Sequence, residues 1–218
     1  MTRVGNLIAM LMLLAACAPA PEAPRTETVA VVSDAPAGEY RLDRSHADLS
    51  FRVNHIGFSM YTARFSDFDA TLHFDPANPA SMRLQATVNV GSLALPAPPQ
   101  GFAAEMLGPQ WFDAVRFPTM TFRSTTIELT GANTARITGD LTLHGVTAPV
   151  ALDVTFNGGY AGHPMDPNGR IGFSARGSLL RSAFGMGYGV PPPGSSMGVG
   201  DEVEIVIETE FTGPPMPP

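Results

Sequence analysis

Between Tyr40 and Phe211 apolar and polar residues repeatedly alternate with a period of two, the spacing of strands that bury one face. The cleanest run sets Met82, Leu84, Ala86, Val88 and Val90 against Arg83, Gln85, Thr87 and Asn89. A central pair of runs covers 137–156: Ile137, Leu141 and Leu143 are apolar in the first, and Val150, Leu152, Val154 and Phe156 in the second. With Gly145-Val146-Thr147 as a tight connection, this pair predicts a hairpin in a one-sided antiparallel sheet. Earlier, Leu49, Phe51 and Val53 share a phase with His55, and Ala63 and Phe65 occupy odd positions while Phe68, Ala70, Leu72 and Phe74 occupy even ones. That switch predicts a bend or bulge at Ser66-Asp67. Further strands follow at Met120–Phe122, Ile127–Leu129, Ile171–Ala175 and Val203–Phe211, the last carrying Glu202, Glu204, Glu208 and Glu210 on its polar side.

Two kinds of interruption punctuate the alternation. Asp75-Pro76-Ala77-Asn78-Pro79 has turn composition, and 95–118 is a Pro-rich loop in which Gly101–Leu107 can form a short helix. About eight to ten short strands predict an all-β domain, either a sandwich or a closed barrel, which alternation alone does not separate. A barrel of about eight strands has room for side chains or one small ligand.

Composition narrows the chemistry. The 218 residues include 22 Gly and 21 Pro, unfavourable for long helices. All 13 basic residues are Arg, so lysine chemistry is excluded. A net charge of −7 without a basic cluster offers no footprint for nucleic acid. Residues 1–16 read as an export signal, with Arg3 ahead of an apolar run, Leu7–Leu14, too short to span a membrane. Leu14-Ala15-Ala16-Cys17 resembles a bacterial lipobox, making Cys17, the single cysteine, a lipidation site. Residues 17–37 then form a disordered Pro/Ala-rich tether, 38–212 the folded domain and 213–218 a structureless tail.

Several ordered blocks resemble the YceI-like family of bacterial polyisoprenoid-binding periplasmic proteins. They are Tyr40-Arg-Leu-Asp43 with Ser45-His46 and Leu49–His55; Trp111-Phe112-Asp113-Ala114, Phe117-Pro118 and Thr121–Ser124; Gly139–Thr147; and Gly172–Ala175 with Arg181-Ser182 and Phe184-Gly185. Two positions depart from the family pattern: Ala63 precedes Arg64-Phe65 where glycine is usual, and 100–108 lacks the usual Arg-Asp and His-Leu pairs. The resemblance implies an extended, lipocalin-like antiparallel β-barrel of about eight strands, with one or two short helices in a loop. Its lumen would hold a polyisoprenoid or an isoprenoid quinone, without any other cofactor. The lumen is then expected to comprise Leu49, Phe51, Val53, His55, Phe65, Leu72, Phe74, Leu84, Val88, Phe122, Leu141, Leu143, Leu152, Val154, Phe173, Phe184 and Ile205. Taken alone, the alternation equally allows these residues to pack a solid core. Burial of about 0.8 kcal/mol per methylene would suffice to hold a long chain without a polar anchor.

Other chemistry is weaker. His46, His55 and His144 invite a metal triad, but His46 and His55 lie in opposite phases of one strand, so no metal site is expected. His55, on the apolar phase, is a candidate for touching a ligand headgroup. Asp43, Ser45 and His46 have hydrolase residue types, yet their adjacency argues against a triad, and no enzymatic activity is expected. Gly185-Met-Gly187-Tyr-Gly189 lacks the strand-to-helix setting of a phosphate loop and is read as a mobile lid or loop near the barrel mouth. The partners expected are an isoprenoid lipid, the envelope membrane through the N-terminal anchor (outer in preference to inner), and, as an option, a second copy in a homodimer. The alternatives are another amphiphile, such as a fatty acid or fatty amide, or a filled barrel that serves envelope protein interactions.

Overall fold

The long alternating stretches become staves of one wall. The computed structural model describes residues 33–215, in the order β1 (Gly38–His55), β2 (Ser59–Phe65), β3 (Phe68–Phe74), β4 (Arg83–Asn89), β5 (Leu93–Ala94), α1 (Phe102–Met106), β6 (Thr119–Leu129), β7 (Thr134–Leu143), β8 (Val146–Tyr160), β9 (Asn168–Leu180) and β10 (Val199–Pro215). Each neighbour pair is antiparallel, and β10 returns to β1, placing Leu49 opposite Ile207 and Phe51 opposite Ile205. With β2 and β3 counted as one kinked stave and β5 as an addition to β2, the result is a closed eight-stranded antiparallel barrel. Closure removes the free sheet edges that an open sheet would expose.

The phase switch at Ser66-Asp67 is a real break between β2 and β3. It is stitched to the turn after β4: Ser66 N–H donates to the Ser92 carbonyl (3.2 Å), Asn89 N–H to the Asp67 carbonyl (2.9 Å) and Asp67 N–H to Ser92 Oγ (3.0 Å). Backbone groups freed by the kink thus find partners, as buried or half-buried amides must. Opposite it, β1 also bends. Gly38–Arg41 pair with β3, Leu49–His55 pair with β2, and the register against β10 slips between Leu42 and Ala47.

The central hairpin turns one residue earlier than its composition predicts. Leu143 faces Val146 across a two-residue loop, and both loop residues have positive φ, His144 at 52° and Gly145 at 76°. A two-residue loop of that hand matches the twist of the strands, and Val146 and Thr147 are free to join β8. Glycine is required at the second place for a second reason: a Cβ there would lie 2.4 Å from the Phe117 ring.

Structure also extends beyond the expected domain ends. Ala35 is buried, Asp34 accepts the Ala161 N–H (2.9 Å), and the fully buried Tyr40 donates its hydroxyl to the Pro36 carbonyl (2.8 Å). At the other terminus β10 runs to Pro215, with Gly213 so close to Tyr40 that a Cβ would fall 2.1 Å from its ring. Residues 33–37 and 213–215 are therefore part of the barrel end, because Tyr40 needs both an acceptor and a cover. The expected export signal and Cys17 lie outside the described residues.

Candidate functional site: the barrel lumen

The inward faces do not meet in a solid core. They enclose a cavity of about 570 Å³, within the range of small-molecule sites, whose wall is almost wholly apolar. Two clusters of buried side chains make that wall. One, around Phe65, Phe112, Met120 and Phe184, lies toward α1; the other, around Tyr40, Leu72, Phe74 and Phe211, lies toward the N-terminal end. Aromatic rings meet along the wall and across it: Phe51 of β1 stacks on Phe65 of neighbouring β2 (5.6 Å between centroids), and Phe74 of β3 on Phe156 of the non-adjacent β8 (6.2 Å).

Fifteen of the seventeen residues expected in the lumen line this cavity. They are Leu49, Phe51 and Val53 on β1, Phe65 on β2, Leu72 and Phe74 on β3, Leu84 and Val88 on β4, Phe122 on β6, Leu141 and Leu143 on β7, Leu152 and Val154 on β8, Phe173 on β9 and Ile205 on β10. His55 does not. A register slip between Val53 and His55 at the end of β1 breaks the alternation, and the residue is exposed. Phe184 does not line it either; the residue sits in the turn after β9, is 2% exposed, and packs into the wall behind the cavity.

The cavity has unlike ends. Beside the β6–β7 connection the lining residues Pro76, Leu129 and Ala132 are themselves exposed, which marks the mouth. At the opposite end Trp111, Arg181 and Met186 are buried and form a floor. Sequence reasoning missed Arg181, an Arg in an otherwise apolar run. It is 5% exposed and gathers the chain that follows: Nε donates to the Gly200 carbonyl (2.9 Å), Nη1 to Met186 (2.6 Å) and Tyr188 (2.8 Å), and Nη2 to Val199 (2.8 Å). Burial pushes its guanidinium down from the ordinary arginine value, with nearby Asp201 opposing the shift. The Gly- and Pro-rich stretch, expected as a mobile lid or loop near the mouth, is a loop, but this arginine pins it at the floor end instead. A Trp near Gly-Pro and a lone Arg in an apolar context were the available signals.

The polar candidates lie outside the lumen. The slip in β1 does bring Asp43, Ser45 and His46 together: Ser45 Oγ donates to Asp43 (2.6 Å), and His46 Nδ1 lies 3.0 Å from Asp43 and 3.2 Å from Ser45. Both contacts fall on the same ring nitrogen, whereas a hydrolase triad uses opposite ones. Hydrogen bonds from Ser45, Arg170 and His46 hold the Asp43 carboxyl well below the usual range, and the bonds to Asp43 and Asp166 raise Arg170 in turn. Asp43, His46 and Glu210 also approach within 4.8 Å of one another, but Arg170 Nη1 stands 2.5 Å from Asp43 and 3.6 Å from Glu210, already balancing their charge. His144 and His55 are not part of this group. His144 Nδ1 donates to the Phe184 carbonyl (3.2 Å) and its ring packs on Phe117, a structural role at a strand end.

Comparison with known proteins agrees with this architecture. The YceI protein of Salmonella arizonae is 33% identical over 178 residues, covering 80% of this chain and 86% of that one. The crystal structure of Burkholderia cenocepacia BcnA superposes with a TM-score of 0.65 at 28% identity, covering 78% of this chain and 98% of that one. A polyisoprenoid binding domain from Saccharophagus degradans shares the fold, with a TM-score of 0.54 at 12% identity over 82% of this chain and all of that one. The YceI-like domain pattern itself matches residues 40–211, from the Tyr40 that caps one barrel end to the Phe211 beside it, and the chain belongs to the YceI-like domain family.

Proposed function

We propose that this chain is a lipid-binding protein that holds a polyisoprenoid, quinone-type chains included, in the barrel lumen for transport, storage or scavenging. The observation that carries the reading is the apolar cavity of about 570 Å³ running between mouth and floor, lined by residues of every main stave. An alkyl or isoprenoid chain entering it leaves water at about 0.8 kcal/mol per buried methylene, which favours long tails over short ones. The structural neighbour from Saccharophagus degradans is described as a polyisoprenoid binding domain, so an isoprenoid is the first ligand to test. Among the described residues that line the lumen there is no nucleophile paired with a base, which favours a binding role over a catalytic one. The leader and the Cys17 lipobox support a periplasmic protein anchored to the envelope, preferably at the outer membrane.

Mass spectrometry of organic extracts from the exported full chain, purified without detergent, tests the proposal. A stoichiometric polyprenyl compound is the expected result. A fatty acid or fatty amide in its place would keep the cavity and overturn the isoprenoid. An empty protein that takes up neither added quinone nor polyprenol would overturn the lipid reading in favour of a protein-interaction module.

A further inference from the structure

The end of the barrel at which the lumen opens is also the end at which the chain enters it. Ser33 and Ala35 both line the cavity, Asp34 accepts the N–H of Ala161, and an added Cβ on Gly159 would lie 3.1 Å from Ser33 Oγ. Residues 33–36 therefore run along the mouth, against the turn that joins β8 to β9. Cys17 stands sixteen residues before Ser33. Even a fully extended chain of that length reaches only about 55 Å, so a lipid on Cys17 would keep the mouth within that distance of a bilayer. Three turns ring the mouth, and each leads with an uncharged residue. Pro76 is exposed in the β3–β4 turn, Leu129 is 64% exposed at the β6–β7 turn, and Met165 is 90% exposed in the β8–β9 turn. The acidic groups nearest these tips are already engaged. Asp75 accepts from the N–H groups of Ala77 and Asn78 (both 3.1 Å) and from Ser81 Oγ (3.2 Å). Asp166 pairs with Arg170 and accepts from the Tyr160 hydroxyl (3.0 Å), and Glu128, next to Leu129, stands opposite Arg136 in the β6–β7 ladder. Such tips can enter the headgroup layer of a bilayer without stripping water from a bare charge. The opposite end also exposes apolar side chains, Phe58, Val115 and Met197, so exposure alone does not choose between the ends. The opening and the chain entry do, and both lie at one end.

We propose that this rim docks on the bilayer in which the Cys17 lipid sits, with Pro76, Leu129 and Met165 entering its interfacial layer and the lumen opening onto the lipids. Contact through three side chains is too small to hold a free protein on a membrane. Anchoring supplies the missing affinity, because a surface within reach of the tether is met at high effective concentration. A lipid then passes between bilayer and lumen without exposing its methylenes to bulk water on the way. This docking rests on the anchored, lipid-binding role proposed above and adds to it the face that meets the membrane.

The exported full chain is prepared as Met165→Cys and, separately, as Phe58→Cys, both exposed positions outside the cavity lining. Intact mass first establishes that Cys17 carries its lipid, which also leaves the new thiol as the one site for an environment-sensitive dye. The labelled chains are reconstituted into vesicles of phosphatidylethanolamine and phosphatidylglycerol whose acyl chains carry a nitroxide quencher about 5–10 Å below the headgroups, the depth that interfacial side chains reach. The dye at 165 is expected to lose most of its emission and the dye at 58 to keep it. Met165→Asp, which leaves the lumen intact, is expected to slow uptake of a long-chain quinone from such vesicles about tenfold without changing its affinity in equilibrium dialysis. An unquenched dye at 165, equal quenching at 58, or uptake at the parent rate in Met165→Asp would overturn the docking and leave the lipid-binding reading intact. A chain without lipid on Cys17 would overturn the anchored reading and the docking with it. Quenching at 165 in a chain that takes up no quinone would support the docking and count against the lipid-binding reading alone.

Discussion

Ala175 offers the sharpest test of whether the lumen is an open space that a ligand fills. It lies on β9 between Val154 of β8 and Ile207 of β10, is 7% exposed and lines the cavity. Replacing it with phenylalanine points a ring into the lumen. In a filled core, such an insertion forces neighbours off their rotamers and costs about 1–3 kcal/mol. In a cavity of about 570 Å³ the ring instead gains contacts, and burying it contributes up to about 1.5–3 kcal/mol, so the variant should be as stable as the parent or more so. The same ring occupies room that a ligand tail would use. Displacing about four methylenes at about 0.8 kcal/mol each removes roughly 3 kcal/mol of binding, about two orders of magnitude in affinity. Urea denaturation with an unchanged m-value reads the first effect, and dialysis of a long-chain isoprenoid reads the second. A variant destabilised by more than about 1 kcal/mol would refute the open lumen. A stable variant that binds as well as the parent would refute the lumen as the ligand site.

Two further predictions concern the frame around the lumen. Asp43→Asn removes a carboxylate whose pKa is depressed in the folded state by Ser45, Arg170 and His46, so the parent's advantage is present at neutral pH. That advantage shrinks as pH falls below the unfolded aspartate value of about 3.9 and is lost fully only below the much lower folded value, so the urea midpoints of the two proteins should lie closer together at pH 3 than at pH 7, and a gap constant with pH would exclude this cause. Gly145→Ala places a Cβ against Phe117 in a residue with φ of 76°, and is expected to cost about 1–3 kcal/mol by thermal or urea unfolding. A change below about 0.5 kcal/mol would show that Phe117 yields and that the turn is unstrained.

Much of this molecule was already written in the order of its residues, because the side on which a strand residue projects is a local matter. The period of two assigned fifteen lumen residues to one face, and the phase change at Ser66-Asp67 located the break between β2 and β3. Where local geometry departs from that period, the reading failed. His55 leaves the lumen because of a register slip, and the hairpin turns at His144-Gly145 because a two-residue loop suits the twist of its strands. Asp43, Ser45 and His46 meet because β1 slips against β10. Tertiary structure alone decided what the apolar faces enclose. Alternation states that a face is covered and says nothing of how far away the opposite wall stands. That distance follows from the number, tilt and stagger of staves, and so from the pairing of β1 with β10, segments at opposite ends of the domain. The floor depends on the same closure: Arg181 and Trp111 are some seventy residues apart, and neither carries a local sign that they will meet beneath the lumen.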